Sequence, residues 1–117
     1  HCLEKEIQPI PGVVTPTEIE SALELGLSVL KFFPAGPSGG LEMIKALASP
    51  YSQIKFIPTG GINAANVGEY LKYSRILACG GSWLVEKELV NDGKFDKIRT
   101  LAAEAATIVK AIREEEK

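Results

Sequence analysis

Four short apolar runs punctuate the chain, at residues 7–10, 29–33, 54–57 and 76–79. Their first residues stand 22, 25 and 22 positions apart. Each run is too short for a helix. Each is followed by a loop bearing glycine or proline and then by a helical segment. Strands and helices alternating at this interval make βα units, and such units build a parallel sheet. Runs this continuous in apolar residues are expected where both faces of a sheet are covered. The helix starts carry local signals. Thr15-Pro16-Thr17-Glu18 is a capping box with proline at the first helical position. Ile19, Ala22, Leu23 and Leu25 continue it as an apolar face, and Gly26 stops it. Residues 38–40 lead into a helix over 41–47 that Pro50 closes. Asn63 can cap a helix over 64–71, with Val67, Tyr70 and Leu71 inward. Phe95, Ile98, Leu101, Ala102, Ala105, Ile108 and Val109 predict a long last helix. Three glutamates at its C-terminal end oppose the helix dipole, so its last turn should fray.

Four βα units are half of an eightfold barrel. The predicted fold class is therefore α/β, the C-terminal half of a TIM (β/α)8 barrel, as a single domain over residues 1–117. A half-barrel leaves two open sheet edges and a half-covered inner face. The N-terminal half of the same barrel is the expected partner that covers them. A flavodoxin-like open sheet is the competing topology, and it usually needs a fifth strand. The opening His1-Cys2-Leu3-Glu4-Lys5-Glu6 reads as the end of a helix, and the only methionine is Met43. Both features lead to the expectation that the chain is a piece of a longer one.

Charge narrows the partners. With 13 basic and 15 acidic residues the net charge is -2, which makes no electrostatic case for nucleic acid or an anionic membrane. No apolar run is long enough to span a bilayer, and no secretory signal pattern is present. Cys2 and Cys79 form no metal-ligand spacing, and Cys79 reads as a small apolar strand residue. A reduced, cytoplasmic protein is the expectation.

The one charge inside an apolar run is Lys31, in Val29-Leu30-Lys31-Phe32-Phe33-Pro34. An ionised amine is costly to bury, and the neutral form is a nucleophile toward carbonyls. The plainer reading is a lysine whose stem packs on apolar surface while its head reaches water. Function in a barrel gathers at the carboxyl ends of the strands. Lys31, Thr59 and Ser82 stand 28 and 23 residues apart, close to the repeat itself, so they should share one rim. Gly60-Gly61 and Gly80-Gly81-Ser82 follow the last two strands, where barrels commonly hold phosphate on backbone N–H groups. Those glycines could instead make tight turns only. Thr59 and Ser82 could bind a carboxylate or phosphate, or cap the next helix. Phe33 alternates onto the Lys31 face and can wall the amine. Trp83 is expected to close core under the glycine loop. Tyr51, Tyr70 and Tyr73 read as packing residues, Lys55 as solvated, and Glu18 as a cap residue.

Lys31-Phe32-Phe33-Pro34-Ala35, Pro58-Thr59-Gly60-Gly61-Ile62 and Gly80-Gly81-Ser82-Trp83-Leu84, in this order and spacing, resemble the 2-keto-3-deoxy-6-phosphogluconate (KDPG) and 4-hydroxy-2-oxoglutarate (KHG) aldolases. Pro9-Ile10-Pro11-Gly12-Val13 and Thr15-Pro16-Thr17-Glu18 look like the fifth strand and following helix of that family. The resemblance implies a TIM barrel, usually a homotrimer, and a class I aldolase that needs no metal or cofactor. It implies cleavage of KDPG to pyruvate and glyceraldehyde 3-phosphate in the Entner–Doudoroff route, and action on KHG. The family's Schiff-base lysine corresponds to Lys31. Its phosphate-binding backbone corresponds to Gly60, Gly61, Gly81 and Ser82, its site threonine to Thr59, and its aromatic beside the imine to Phe33. The family's glutamate acid/base and a carboxylate-binding arginine belong to the N-terminal half and match nothing here. Such a fragment should be inactive alone. Relatives of ribulose-phosphate epimerase or thiamin-phosphate synthase, or a non-catalytic sugar-phosphate-binding half-barrel, are the competing readings.

Overall fold

The computed structural model describes residues 1–115 and is α/β around a parallel sheet. The strands β1 (Gly12–Val13), β2 (Val29–Phe32) and β3 (Lys55–Pro58) lie side by side in that order. Helix α1 (Pro16–Glu24) links β1 to β2, and α2 (Gly40–Ala48) links β2 to β3. Helices α3 (Val67–Leu71), α4 (Lys87–Asn91) and α5 (Phe95–Glu115) follow. The register sets Lys31 beside Gly12 on one side and Ile57 on the other.

The first strand begins later than the apolar run at residues 7–10 predicts. Pro9 and Pro11 have no N–H to give a ladder. Pairing instead falls on Gly12–Val13, and the Lys31 N–H donates to the Pro11 carbonyl at 2.9 Å. Ile7 and Ile10 stay exposed. The predicted fourth strand over residues 76–79 is reduced to one isolated bridge, Phe56 with Ile76, and a second bridge, Thr59 with Gly80, lies just beyond it. Arginines bind carbonyls around this segment. Arg75 Nε donates to the Ile54 carbonyl at 2.7 Å and Arg75 Nη2 to that of Tyr51. Arg113 Nη2 donates to the carbonyls of Ile76 and Leu77 at 2.8 and 3.1 Å.

One face of the sheet is core. Val13, Leu30, Phe32, Phe56 and Pro58 are buried there, and the Phe32 and Phe56 rings meet edge to face at 6.5 Å. Ile19 and Ala22 of α1, Ile44 and Leu47 of α2, and Val67, Tyr70 and Leu71 of α3 complete the cluster. The other face carries Val29, Lys31 and Ile57, all half-buried. The expectation that both faces are covered therefore holds for one face in this chain.

The helix signals act largely as expected. Thr15 Oγ1 accepts from the Glu18 N–H, and Glu18 Oε2 accepts from the N–H groups of Val14 and Thr15. Asn63 Oδ1 accepts from the N–H groups of Ala65 and Asn66, capping a turn that precedes α3, so the helix proper starts three residues late. Helix α4 was not predicted. Helix α5 packs on α3, with Ile112 against Gly68, and continues through Glu115. Residues 116–117, where fraying is also expected, lie outside the described residues. No helix among the described residues is long and apolar enough to cross a membrane.

Candidate active site

The carboxyl ends of the strands are stitched into one rim. Beyond β2 and β3, the Thr59 N–H donates to the Phe32 carbonyl at 2.9 Å. The chain then crosses back, with Ala35 N–H donating to Thr59 O and Gly36 N–H to Gly60 O, both at 2.8 Å. On the other side the Gly80 N–H donates to the Pro58 carbonyl at 2.9 Å. These bonds fix residues 33–36, 59–61 and 80–82 as three adjacent loops at the end of the sheet. Lys31, Phe33, Thr59, Gly60, Gly61, Gly81 and Ser82 all lie at or just below that end.

Lys31 is half-buried on the open face of β2, and its Nζ stands 4.9 Å from the centre of the Phe33 ring. Phe33 is 50% exposed, so it flanks the amine from the solvent side instead of enclosing it. The Phe33–Pro34 peptide is cis and turns the chain directly after the strand.

Gly60 and Gly61 have φ of +97° and +80°, a region that a residue with a Cβ rarely enters. Their turn also lies close against residues 33–36, since a Cβ on Gly60 would stand 3.3 Å from the Pro34 Cα. The tight-turn reading of these glycines is thus satisfied. It leaves room for a ligand-binding one, because among the described residues no carbonyl accepts from the N–H groups of Gly60, Gly61 or Gly81. Asn66 sets the turn: its Nδ2 donates to the Gly61 carbonyl at 2.9 Å, and its Oδ1 accepts from the Asn63 N–H at 2.8 Å. Sequence reasoning stopped at Asn63 and missed Asn66; the Asn63-x-x-Asn66 spacing directly after the glycine pair was the available signal.

The third loop is packed from both sides. Thr59 lies so close to Gly80 that a Cβ there would come within 2.5 Å of Thr59 Oγ1. The Trp83 ring lies against Gly81, and Trp83 packs on the core as expected. Ser82 is exposed at the start of a short 3-10 turn, Ser82–Leu84. Beneath the rim the Cys79 thiol is half-buried, and burial pushes it up to about 11 against the opposing pull of Arg113. Among the described residues no group of three or more His, Cys, Asp or Glu side chains could hold a metal ion. Glu18 is engaged in its cap, as the sequence suggested.

A family model described as the KDPG and KHG aldolases matches residues 1–101. The chain belongs to that family. A 2-dehydro-3-deoxy-phosphogluconate aldolase of Treponema pallidum is 48% identical over 109 residues, covering 93% of this chain and 52% of that protein. The KDPG aldolase structure from Zymomonas mobilis has a TM-score of 0.82 at 41% identity, covering 90% of this chain and 50% of that one. A KDPG aldolase of Legionella pneumophila, solved with pyruvate captured as a covalent carbinolamine, has a TM-score of 0.79 at 42% identity, covering 82% and 47%. The chain thus spans about half the length of the curated relatives it matches. Membership of the KDPG and KHG aldolases gives the epimerase and synthase readings no support.

Proposed function

We propose that this chain supplies the Schiff-base lysine and the phosphate-binding loops of a class I aldolase that cleaves KDPG to pyruvate and glyceraldehyde 3-phosphate. KHG, giving pyruvate and glyoxylate, is the second substrate. The observation that carries the reading is Lys31 at the carboxyl end of β2, next to loops with unpaired glycine N–H groups, in a chain of this family.

The unprotonated Lys31 amine adds to the C2 ketone, and loss of water leaves an iminium. A base takes the C4 hydroxyl proton, the C3–C4 electron pair moves into the iminium, and glyceraldehyde 3-phosphate departs. The enamine that remains takes a proton at C3, and hydrolysis returns pyruvate and the free amine. Phe33 flanks the imine. Gly60, Gly61, Gly81 and Ser82 hold the phosphate through backbone dipoles, which suits a chain with no basic excess. Thr59 lines the site between them. The acid/base belongs to the N-terminal half of the barrel, and this chain is the C-terminal half. A homotrimer in the cytoplasm is the assembly the family resemblance supports.

Reductive trapping tests the reading. The protein is incubated with pyruvate and borohydride, and the adduct is located by peptide mass spectrometry. Pyruvate on Lys31 is the expected result. No adduct on Lys31 in the complete barrel ends the aldolase reading.

A further inference from the structure

Trp83 has no role in the reaction above, yet its ring occupies a specific place. A Cβ built on Gly81 would stand 1.7 Å from Cζ3 and 2.0 Å from Cε3 of that ring. The indole edge therefore fills the volume a side chain at Gly81 would need. Gly81 has φ of -151°, a conformation any residue adopts, so backbone strain does not call for glycine there. The contact with Trp83 does. Trp83 is itself anchored: it packs against the core cluster, and the turn it sits on lies against α5. A ring clamped between core and backbone has little freedom to yield.

We propose that Trp83 is a positioning residue for phosphate recognition, pressing on Gly81 so that the Gly81 N–H and the following Ser82 are held toward the ligand. The proposal rests on the phosphate-loop reading of the proposed function. Trp83 acts through the backbone of residues 81–82 and does not touch Lys31 chemistry. Its removal should therefore weaken substrates that carry a phosphate and spare those that do not. Its presence makes Gly81→Ala harmful, and its trimming should make the same change tolerable.

The test compares Trp83→Leu, Gly81→Ala and the double variant in the complete barrel, with KDPG and with the unphosphorylated KHG. Trp83→Leu is expected to raise KM for KDPG about tenfold, the scale of one weakened hydrogen bond, with KM for KHG and kcat changed less than about twofold. Gly81→Ala should show the same selective loss. The double variant should be no worse than Trp83→Leu, a non-additivity specific to two groups in contact. Equal losses on both substrates, or strict additivity, would overturn the proposal in favour of a merely structural tryptophan. If Trp83→Leu does not fold, the milder Trp83→Phe decides in its place, alone and combined with Gly81→Ala: an unchanged KM for KDPG or strict additivity ends the proposal, and a selective, non-additive rise upholds it. If the parent enzyme itself shows no benefit from the phosphate, the phosphate-loop reading fails and the Trp83 proposal falls with it. If the benefit is present and Trp83→Leu keeps it, only the Trp83 proposal fails.

Discussion

A thiol, an amine and a glycine show how differently single residues reveal themselves in this chain. Cys79 is half-buried, and its thiol lies at about 11, chiefly because burial disfavours the thiolate. Thiolate is the species that alkylates, so Cys79 should be nearly inert at pH 8 and gain reactivity as pH approaches 11. The exposed Cys2 serves as an internal comparison. Iodoacetamide labelling followed by peptide mass spectrometry should show Cys2 modified well before Cys79 at pH 8, with the gap narrowing at higher pH. Equal rates at pH 8 would contradict the burial that the structure gives Cys79. Lys31 was legible because it breaks an apolar run, a one-dimensional signal. The places of Phe33, Thr59 and the paired glycines followed from the repeat and the barrel rule. The contacts of Trp83 with Gly81 and of Asn66 with Gly61 were not legible. They depend on how turns fold back in space, which no spacing encodes.

Among the elements, α1 gives the clearest link from sequence to stability. Its capping box was written in Thr15 and Glu18, and both halves are formed. Thr15→Ala removes one acceptor of an otherwise unpaired helical N–H and should cost about 1 kcal/mol in chemical denaturation. Glu18 adds a pH dependence. Hydrogen bonds from the Val14 N–H, the Thr15 N–H and the Thr15 hydroxyl hold its carboxyl below the ordinary value of 4.5. A carboxylate depressed on folding stabilises the fold above its unfolded pKa, and that contribution is lost as pH falls through the folded value. The difference in urea midpoint between the parent and Glu18→Gln should therefore be present at neutral pH and shrink below about pH 4.5. A difference that grows on acidification would reverse the assignment. β3 offers a larger effect. Phe56 is fully buried on the core face of the sheet, against Phe32, and Phe56→Ala should cost about 3–5 kcal/mol. That is a large part of the roughly 5–15 kcal/mol by which domains are stable, so the variant should melt far earlier or fail to fold. The elements that sequence missed have physical reasons. The apolar run at residues 7–10 looked like a strand, but its prolines cannot supply a ladder, and pairing moved to Gly12–Val13. Residues 76–79 are apolar enough for a strand, yet they meet β3 at one bridge only; Pro58 has no N–H to give the Leu77 carbonyl, and Arg113 binds the carbonyls of Ile76 and Leu77 instead.

At the scale of the molecule, the βα repeat disclosed a parallel α/β sheet, and the pleat explains what remained hidden. Apolar runs alone could not say that only one face would be covered by this chain's own helices. Val29, Lys31 and Ile57 project to the other face half-buried, and Phe33 and Leu77 beside them are 50% and 53% exposed. That face holds Lys31, the nucleophile of the proposed reading, so whatever covers it would also build the site. On the proposed reading the cover is the N-terminal half-barrel, which brings the proton-transfer base with it. Imine formation needs only the amine and a ketone, whereas C3–C4 cleavage needs the base as well. The two activities should therefore separate. The 117-residue chain alone should form a borohydride-trapped pyruvate adduct on Lys31 while KDPG cleavage stays at background, and it should bind a hydrophobic dye through its open face. Adding the N-terminal half, joined or as a separate chain, should lower the dye signal and restore turnover together, because one docking event buries the face and delivers the base. Turnover by the chain alone would mean that a group within these residues moves the C4 hydroxyl proton, and the division of labour between the halves would be wrong. Dye displacement without turnover would separate docking from catalysis and move the search for the base away from the N-terminal half.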